Sequence, residues 1–211
     1  MIPRATLQVF EKINDLTSKG AGSATLRVFY FEVYNEGLNN ILTAPVQTNL
    51  KMREQPGGGI AVLGVDPVYV SSPEEIFELL QTGTLNRAVA GTNQNARSSR
   101  SHTMFVLDLE QNFIDGSKRR SRLNLVDLAG SERIEKTGAA GQTLEEAKSI
   151  NQSLSCLGNC ILALTTPPGP SGKKVHVPFR ESKLTFFLKE SLGGNSKTSL
   201  VCTTSRRARH R

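Results

Sequence analysis

The sequence predicts an α/β fold in which a central, mostly β sheet is flanked by helices. Runs rich in β-branched and aromatic residues are interspersed with segments whose apolar residues recur every three or four positions, which is the pattern of strands mixed with amphipathic helices. The chain has 211 residues, of which 37% are hydrophobic. This length and composition support one sizeable core, so we treat the chain as one domain.

The first predicted strand covers residues 25–34, whose β-branched and aromatic residues are typical of a strand largely buried on one face. It ends in the turn-prone residues 35–37. A short pair of strands then flanks residues 55–59, where three glycines and a proline favour a turn. This glycine cluster therefore indicates a hairpin loop rather than a phosphate-binding loop.

Two further strands are predicted at residues 103–110 and 122–128, separated by a polar and basic turn at residues 115–121. This order places Asp127 at the end of a strand. Residues 198–204 have the composition of a last strand.

Helices are predicted where capping signals precede apolar periodicity. Ser72 can cap a helix that continues through Pro73 and Glu75, and a second capping box begins at Thr143. Behind Thr143 the apolar residues recur at spacings of three and four and stop before Pro167, which makes this the strongest helix pattern in the chain. A further amphipathic helix carries Leu184, Phe187 and Leu188 and closes at Gly193 and Gly194.

The net charge favours a polyanionic partner. There are 26 Lys and Arg residues against 19 Asp and Glu, a formal charge of +7. Nucleic acid, an anionic membrane and an acidic protein surface all satisfy this charge. A nucleic-acid partner is supported only by the charge and by the basic residues 205–211, and the interleaved aromatic residues of a stacking platform are absent. We therefore do not expect a nucleic-acid partner.

The three cysteines do not suggest a disulfide framework or a metal site. Cys156 and Cys160 lie one helical turn apart with no histidine at a ligand spacing, and Cys202 is left over. We expect buried free thiols in a reducing cytosol. No apolar run is long enough to span a bilayer and the first residues lack the apolar stretch of a signal peptide, so we expect a soluble intracellular protein with no membrane partner.

Two segments have the residue types of a nucleotide switch. An apolar strand followed by Asp127 and Gly130 can hold a carboxylate near Mg²⁺ and bring a glycine amide close to a γ-phosphate, although an ordinary turn explains this pattern alone. Ser98 and Ser99 offer hydroxyls for Mg²⁺ and phosphate, and Arg100 offers a fork for a carboxylate such as Glu132. Taken alone, this second segment is equally typical of a polar surface loop.

Together the two segments are more specific. Residues 95–102 (NARSSRSH) with residues 125–133 (LVDLAGSER) resemble the kinesin motor domain. The resemblance continues in the family's order through most of the chain, at residues 2–4, 31–36, 149–154, 177–184 and 191–198. It implies a P-loop NTPase-like kinesin motor fold, ATP and Mg²⁺ as cofactors, microtubules as the partner, and a place in the cytoplasm on the cytoskeleton.

The resemblance also implies roles for individual residues. Residues 95–102 correspond to switch I, with Asn95, Ser98 and Ser99 at the nucleotide and Ser99 at Mg²⁺. In switch II, Asp127 reaches Mg²⁺ through water, Gly130 senses the γ-phosphate, and Glu132 pairs with Arg100. The helix after Thr143 corresponds to the one that lies on the microtubule, and the filament contacts are Arg133, Lys136, Arg180 and Lys183.

The 211 residues contain no Gly-x-x-x-x-Gly-Lys-Ser/Thr sequence. The two nearest imitations, residues 171–174 and 194–198, lack the hydroxyl after the lysine or the glycine before it. We therefore expect a motor fold incomplete at both ends, with a partial motor domain at 1–204 and a basic tail outside the family pattern at 205–211. Such a chain is expected to be marginally stable or prone to aggregation, because missing strands leave edges and apolar faces uncovered.

These expectations leave alternatives for the function. The chain is a fragment of an ATP-driven microtubule motor that lacks ATPase activity by itself, a microtubule-binding module independent of nucleotide, or a degenerate kinesin. Gln152 and Phe186 stand where the family usually has Lys and Arg, so the affinity for the filament is expected to be unusual.

Overall fold

The computed structural model describes residues 2–56, 59–89, 100–130, 142–168 and 175–202, with the backbone alone over 142–148. The helices are α1 (Ile2–Ser18), α2 (Pro73–Val89), α3 (Gln142–Thr165), α4 (Lys183–Phe187) and α5 (Lys189–Gly193), with a 3₁₀ turn at Phe179–Glu181. The strands are β1 (Gly22–Tyr34), β2 (Gly37–Asn40), β3 (Met52–Glu54), β4 (Ile60–Val62), β5 (Val68–Val70), β6 (His102–Phe113) and β7 (Lys118–Asp127).

The main sheet is antiparallel and has the order β2-β1-β6-β7, with β5 paired to the first half of β1. β3 and β4 form a separate hairpin around the glycine-rich loop, as expected from the sequence. Val33 lies opposite His102, and Thr103 lies opposite Asp127. The end of β1, the start of β6 and the end of β7 therefore meet at one end of the sheet.

Helices cover both faces of this sheet, which confirms the predicted α/β architecture. On one face, β1 and β6 contribute alternate residues such as Val28 and Phe105, which pack with Phe10 of α1 and Ile76 of α2. Alternation along a strand places the next residues on the opposite face.

The second face carries its own apolar cluster. Met104 and Val106 of β6 pack here with Phe31 of β1 and with Leu184 and Phe187 of α4. The prediction of one buried face for residues 25–34 was therefore too narrow: residues 30–33 are all buried, because helices cover the sheet on both sides.

A buried carboxylate fixes the middle of the second face. Asp108 of β6 is fully buried and accepts hydrogen bonds from Arg120 (2.7 Å and 3.1 Å) and Arg122 (3.2 Å), with Arg27 3.6 Å away. Burial alone raises the pKa of Asp108, but the bonds from Arg120 and the charge of Arg122 outweigh it and hold that pKa below its usual value. Three strands are thus tied together by one charge.

The turn between β6 and β7 is shorter than the predicted 115–121. Residues 118–121 continue the ladder opposite residues 109–112. Only a tight turn remains, in which the Asp115 side chain accepts from the Ser117 amide and Gly116 has φ +83°. The basic residues belong to the strand because Arg120 reaches Asp108 from there.

Two predictions, for the helix carrying Leu184 and for the strand at residues 198–204, differ from the structure, and one helix was missed. The amphipathic α1 was not predicted. The helix predicted to carry Leu184 and Phe187 is instead two short helices, α4 and α5, separated by Leu188 (φ −83°, ψ 3°). The predicted strand at 198–204 was wrong for its described part: residues 198–202 have no strand pairing and Leu200 is exposed. Composition favours a strand, but a strand needs a neighbour that completes its hydrogen bonds.

The cysteine prediction holds for two of three positions. Cys156 and Cys160 of α3 are free and buried, whereas Cys202 is free and exposed. Cys202 was therefore predicted wrongly, since it lies in the same unpaired segment as Leu200. Among the described helices, none is both long and apolar enough to cross a bilayer.

Candidate functional site

The predicted switch residues that the structure describes gather at the end of the sheet where β6 begins. Arg100 comes two residues before β6, Asp127 is the last residue of β7 and is exposed, and Gly130 follows three residues later. Strand pairing brings these segments together, because Asp127 lies opposite Thr103.

The remaining predicted residues lie outside the described parts of the chain. These are Asn95, Ser98, Ser99, Glu132, Arg133 and Lys136. Their roles, and the expected pair between Arg100 and Glu132, stay predictions.

An open concavity lies beside Arg100, between the turn after β1 and helix α3. Its empty volume is about 160 Å³. It is lined by Val33, Asn35, Glu36, Arg100, His102, Ser149, Ile150 and Ser153.

A buried charged network holds Ser101, near the end of the predicted switch I, against β1 and α2. Glu32 of β1 is fully buried and accepts from the Ser101 hydroxyl at 2.7 Å and from Asn39 at 3.4 Å. Arg87, near the end of α2, lies 3.4 Å from Glu32 and donates to both the carbonyl (3.0 Å) and the hydroxyl (2.9 Å) of Ser101. The end of α2 and the start of β6 are thereby fixed to each other.

His102, the next residue, joins the loop after β7 to helix α3. Its Nδ1 accepts from the Ala129 amide at 3.0 Å, and its Nε2 lies 2.8 Å from the Ser153 hydroxyl. An amide can only donate, so Nδ1 carries the lone pair and Nε2 carries the proton. Burial, followed by the charge of Arg87, lowers the pKa of His102 to about 4. The imidazole is therefore neutral at physiological pH.

The turn after β1 connects the site to helix α4. Glu36 adopts φ 55°, which a non-glycine residue rarely does, and its carboxylate accepts from the Lys183 amide at 2.8 Å. Burial raises the pKa of Glu36, and the contact with Lys183 opposes this shift. The strained turn and the start of α4 thus hold each other.

The predicted filament contact Arg180 belongs to an exposed charged group next to the β3–β4 hairpin. Its side chain is 74% exposed and donates to Glu54 at 2.8 Å. Lys189 lies 3.1 Å from the same carboxylate, and the Arg180 guanidinium lies 4.9 Å from the centre of the Phe186 ring. The unexpected Phe186 therefore has a structural partner, a cation over an aromatic face. Lys183 is half-buried.

The described residues contain no cluster of three or more His, Cys, Asp and Glu side chains able to enclose a metal ion. Mg²⁺ does not need such a cluster, since it usually keeps several waters and takes one or two protein ligands together with phosphate oxygens. One exposed carboxylate at the end of β7, Asp127, fits this mode of binding.

Sequence reasoning did not give roles to Glu32, Arg87, His102 and Ser153. One signal was available for the first of these, because a charged residue inside the apolar run 28–33 must either be buried with a partner or interrupt the strand. The contacts of His102 could not be read from the sequence, because its partners lie 27 and 51 residues away.

Comparison with known proteins gives one consistent result. The sequence model described as the kinesin motor domain matches residues 1–211. Kinesin-related protein 5 of Dictyostelium discoideum is 50% identical over 97% of this chain, and the kinesin heavy chain of Neurospora crassa is 49% identical over 97%. The solved structure of a fast kinesin superposes on 93% of this chain with a TM-score of 0.80 and 49% identity.

The chain is much shorter than these relatives. It covers 20% of the Dictyostelium protein, 21% of the Neurospora protein and 53% of the solved fast kinesin chain.

Proposed function

The chain belongs to the kinesin motor-domain family, and from that premise we propose that it supplies the switch segments and the filament-binding helix of an ATP-driven microtubule motor. The observation that carries the proposal is the meeting of Arg100, Asp127 and Gly130 at one end of the sheet. Nucleotide switches require their two sensing loops to face one bound phosphate. We expect the protein to act in the cytoplasm, on the microtubule cytoskeleton.

The nucleotide roles follow from chemistry and position. Asp127 and Ser99 would hold Mg²⁺, which neutralises phosphate charge when it is bound with ATP. Asn95 and Ser98 would contact the nucleotide, and Gly130 would approach the γ-phosphate because it has no Cβ. Arg100 and Glu132 would pair when the site closes.

A phosphate-binding loop is also required, and residues 1–211 do not contain its sequence. We therefore propose that ATP hydrolysis needs a Gly-x-x-x-x-Gly-Lys-Ser/Thr segment in addition to these residues. The test compares the ATPase rate of the 211-residue chain with that of the same chain preceded in frame by such a segment from a kinesin relative, each with and without microtubules. Only the longer protein should hydrolyse ATP, and microtubules should raise its rate. Hydrolysis by the 211-residue chain alone would overturn this requirement.

The proposed filament surface consists of α3 with the flanking cations Arg133, Lys136, Arg180 and Lys183. Of this set, the described helix α3 packs on the face of the sheet that carries α4, whereas α1 and α2 cover the opposite face. A positive surface on one face suits an acidic partner such as tubulin, and the overall charge of +7 assists encounter.

A pair of double variants tests this surface. Arg180→Ala with Lys183→Ala should weaken microtubule co-sedimentation about 5- to 30-fold, because two interface charges of ~0.5 to 1 kcal/mol each are lost. Lys12→Ala with Arg119→Ala removes the same charge from the other face of the sheet and should change the affinity by less than about twofold. Equal losses of affinity in the two double variants would mean that only the net charge of the protein determines microtubule binding.

The second candidate function is a microtubule-binding module that does not respond to nucleotide. The absence of a phosphate-loop sequence from residues 1–211 favours it for this chain taken alone. Co-sedimentation that is the same with ATP, with ADP and without nucleotide would support this candidate. A nucleotide-dependent affinity of the 211-residue chain would exclude it.

A further inference from the structure

We infer that His102 is a positioning residue that couples the loop after β7, which follows Asp127 and carries Gly130, to helix α3 through its two ring nitrogens. The motor role of this coupling rests on the proposed function, whereas the coupling itself rests on the contacts of the buried imidazole.

The contacts form one continuous series of hydrogen bonds. The Ala129 amide donates to Nδ1, Nε2–H donates to the Ser153 hydroxyl, and that hydroxyl donates to the Ile150 carbonyl at 2.8 Å. The imidazole and the Ser153 hydroxyl each accept one bond and donate one, the amide can only donate and the carbonyl can only accept, so the direction of every bond is fixed. A chain of bonds running from a loop amide to a helix carbonyl connects the two elements.

Burial makes these bonds difficult to replace. His102 is 2% exposed, Ser153 is 1% exposed and Ala129 is 5% exposed. Loss of any of these bonds leaves a buried polar group without its partner, which costs more than the bond itself contributes. The loop and the helix therefore cannot separate independently of the imidazole.

The backbone of His102 is anchored as well. Ser101, its neighbour, is bound by Glu32 and Arg87, and His102 itself pairs with Val33 in the sheet. The ring is thus held on a rigid support, and only its side-chain contacts can adjust. A displacement of the Ala129 amide is transmitted to Ser153 rather than absorbed by the start of β6.

This arrangement connects the proposed nucleotide site directly to the proposed filament surface. A γ-phosphate that draws in Gly130 also moves the neighbouring Ala129 amide. His102 then transfers the change to Ser153, in the helix proposed to lie on the filament. Coupling of this kind is reciprocal, so filament contact should in turn restrain the loop.

The first test measures hydrogen exchange of the Ala129 amide by NMR in the 211-residue protein. Ser153→Ala does not touch Ala129, yet it removes the acceptor of Nε2–H. It should accelerate Ala129 exchange about tenfold relative to the Val28 amide in the centre of β1. His102→Gln, whose amide can still reach Ser153, should accelerate Ala129 at least as much because it removes the Nδ1 acceptor.

The matched control is Ser155→Ala, on the exposed side of the same helix. It should leave the ratio of Ala129 to Val28 exchange unchanged. The coupling is overturned if Ser153→Ala also leaves that ratio unchanged, or if it accelerates both amides equally, which would indicate a loss of global stability alone. In the unsubstituted protein, a scalar coupling across the bond between the Ala129 amide and Nδ1 should be detected, and its absence would contradict the geometry without any variant.

The second test adds microtubules and measures exchange of the peptide containing residues 127–130 by mass spectrometry. Filament binding should slow exchange in the unsubstituted protein but not in Ser153→Ala, although both still co-sediment, because the Ser153 side chain is buried. If the unsubstituted protein does not co-sediment, the proposed function fails while the first test still decides the coupling. Equal protection in Ser153→Ala overturns the transmission from helix to loop.

Discussion

Buried polar side chains are concentrated at the end of the sheet where the predicted switch segments meet. Glu32, Ser101, His102 and Ser153 are each 2% exposed or less. Such groups lower stability unless each one is paired, and a fully paired network fixes the positions of its members. At the scale of the residue, the site is therefore built from interactions that position backbone segments.

The neutral state of His102 makes stability depend on pH. Its pKa is about 4 in the folded protein and about 6.5 in the unfolded chain, so between these values the unfolded state binds more protons. The stabilisation is complete above pH 6.5 and is lost as the pH falls towards 4, by about 3 kcal/mol in total. Denaturant unfolding measured from pH 8 to pH 4 checks this expectation.

The control for the pH prediction is His102→Asn, which cannot titrate and should show a smaller loss of stability on acidification. Glu36 acts in the opposite direction, since burial raises its pKa and the folded state takes up its proton more readily. The comparison between the two proteins cancels this contribution. Identical pH profiles would show that His102 does not govern the acid response.

Two glycines in helices, Gly83 and Gly158, differ in how closely other residues pack against them. Gly83 of α2 lies against Tyr30, whose ring packs edge-on to Phe105 at 5.2 Å. Gly158 of α3 has open space where a side chain would be. At the scale of the element, the same residue type thus allows a close approach in α2 and only lowers helix propensity in α3.

Alanine at these two positions should have opposite effects on the free energy of unfolding. Gly83→Ala should lower it by about 1 to 3 kcal/mol, because the new methyl carbon lies 2.6 Å from the Tyr30 Cε1 atom. Gly158→Ala should raise it by about 0.5 to 1 kcal/mol through helix propensity. Thermal and denaturant melts of both variants measure the difference, and two changes of the same sign would contradict the packing described here.

At the scale of the whole molecule, strand β7 leaves one edge of the main sheet open within the described residues. Within the described residues β7 pairs only with β6, and Leu123 and Val126 along it are 38% and 36% exposed. An unpaired strand edge with apolar side chains is a template for association with other chains. The open edge supports the expectation that the 211-residue chain is prone to aggregate.

Lysine on this edge should slow aggregation. Leu123→Lys with Val126→Lys introduces charge where two edges would meet, so light scattering of the variant at 37 °C should rise several-fold more slowly than for the unsubstituted chain. Leu85→Lys, at an exposed site on α2, adds charge away from the edge and should have a smaller effect. A sharp, reversible melt of the unsubstituted chain would show that the edge is not a liability.

The elements that were predicted well are those with strong local signals. The α2 start is an example: the Ser72 hydroxyl accepts from the Glu75 amide at 3.3 Å, although the Glu75 carboxylate bonds to the Ser71 amide rather than to Ser72. The 3₁₀ turn and the break at Leu188 were not predicted, because short helices are decided by packing rather than by propensity. The strand expected at 198–204 failed for the related reason that a strand exists only with a partner.

The sequence by itself determined the family, the α/β class, the long helix and the placement of Asp127 at the end of a strand, because residue order and local periodicity carry this information directly. Only the tertiary structure decided that three arginines lie around Asp108 and that Arg87 binds Ser101. It also decided that His102 bonds to both Ala129 and Ser153. These contacts link residues far apart in the chain, so they depend on strand register and on how helices pack on the sheet. Periodicity along a sequence does not record which distant partners each buried polar group will find.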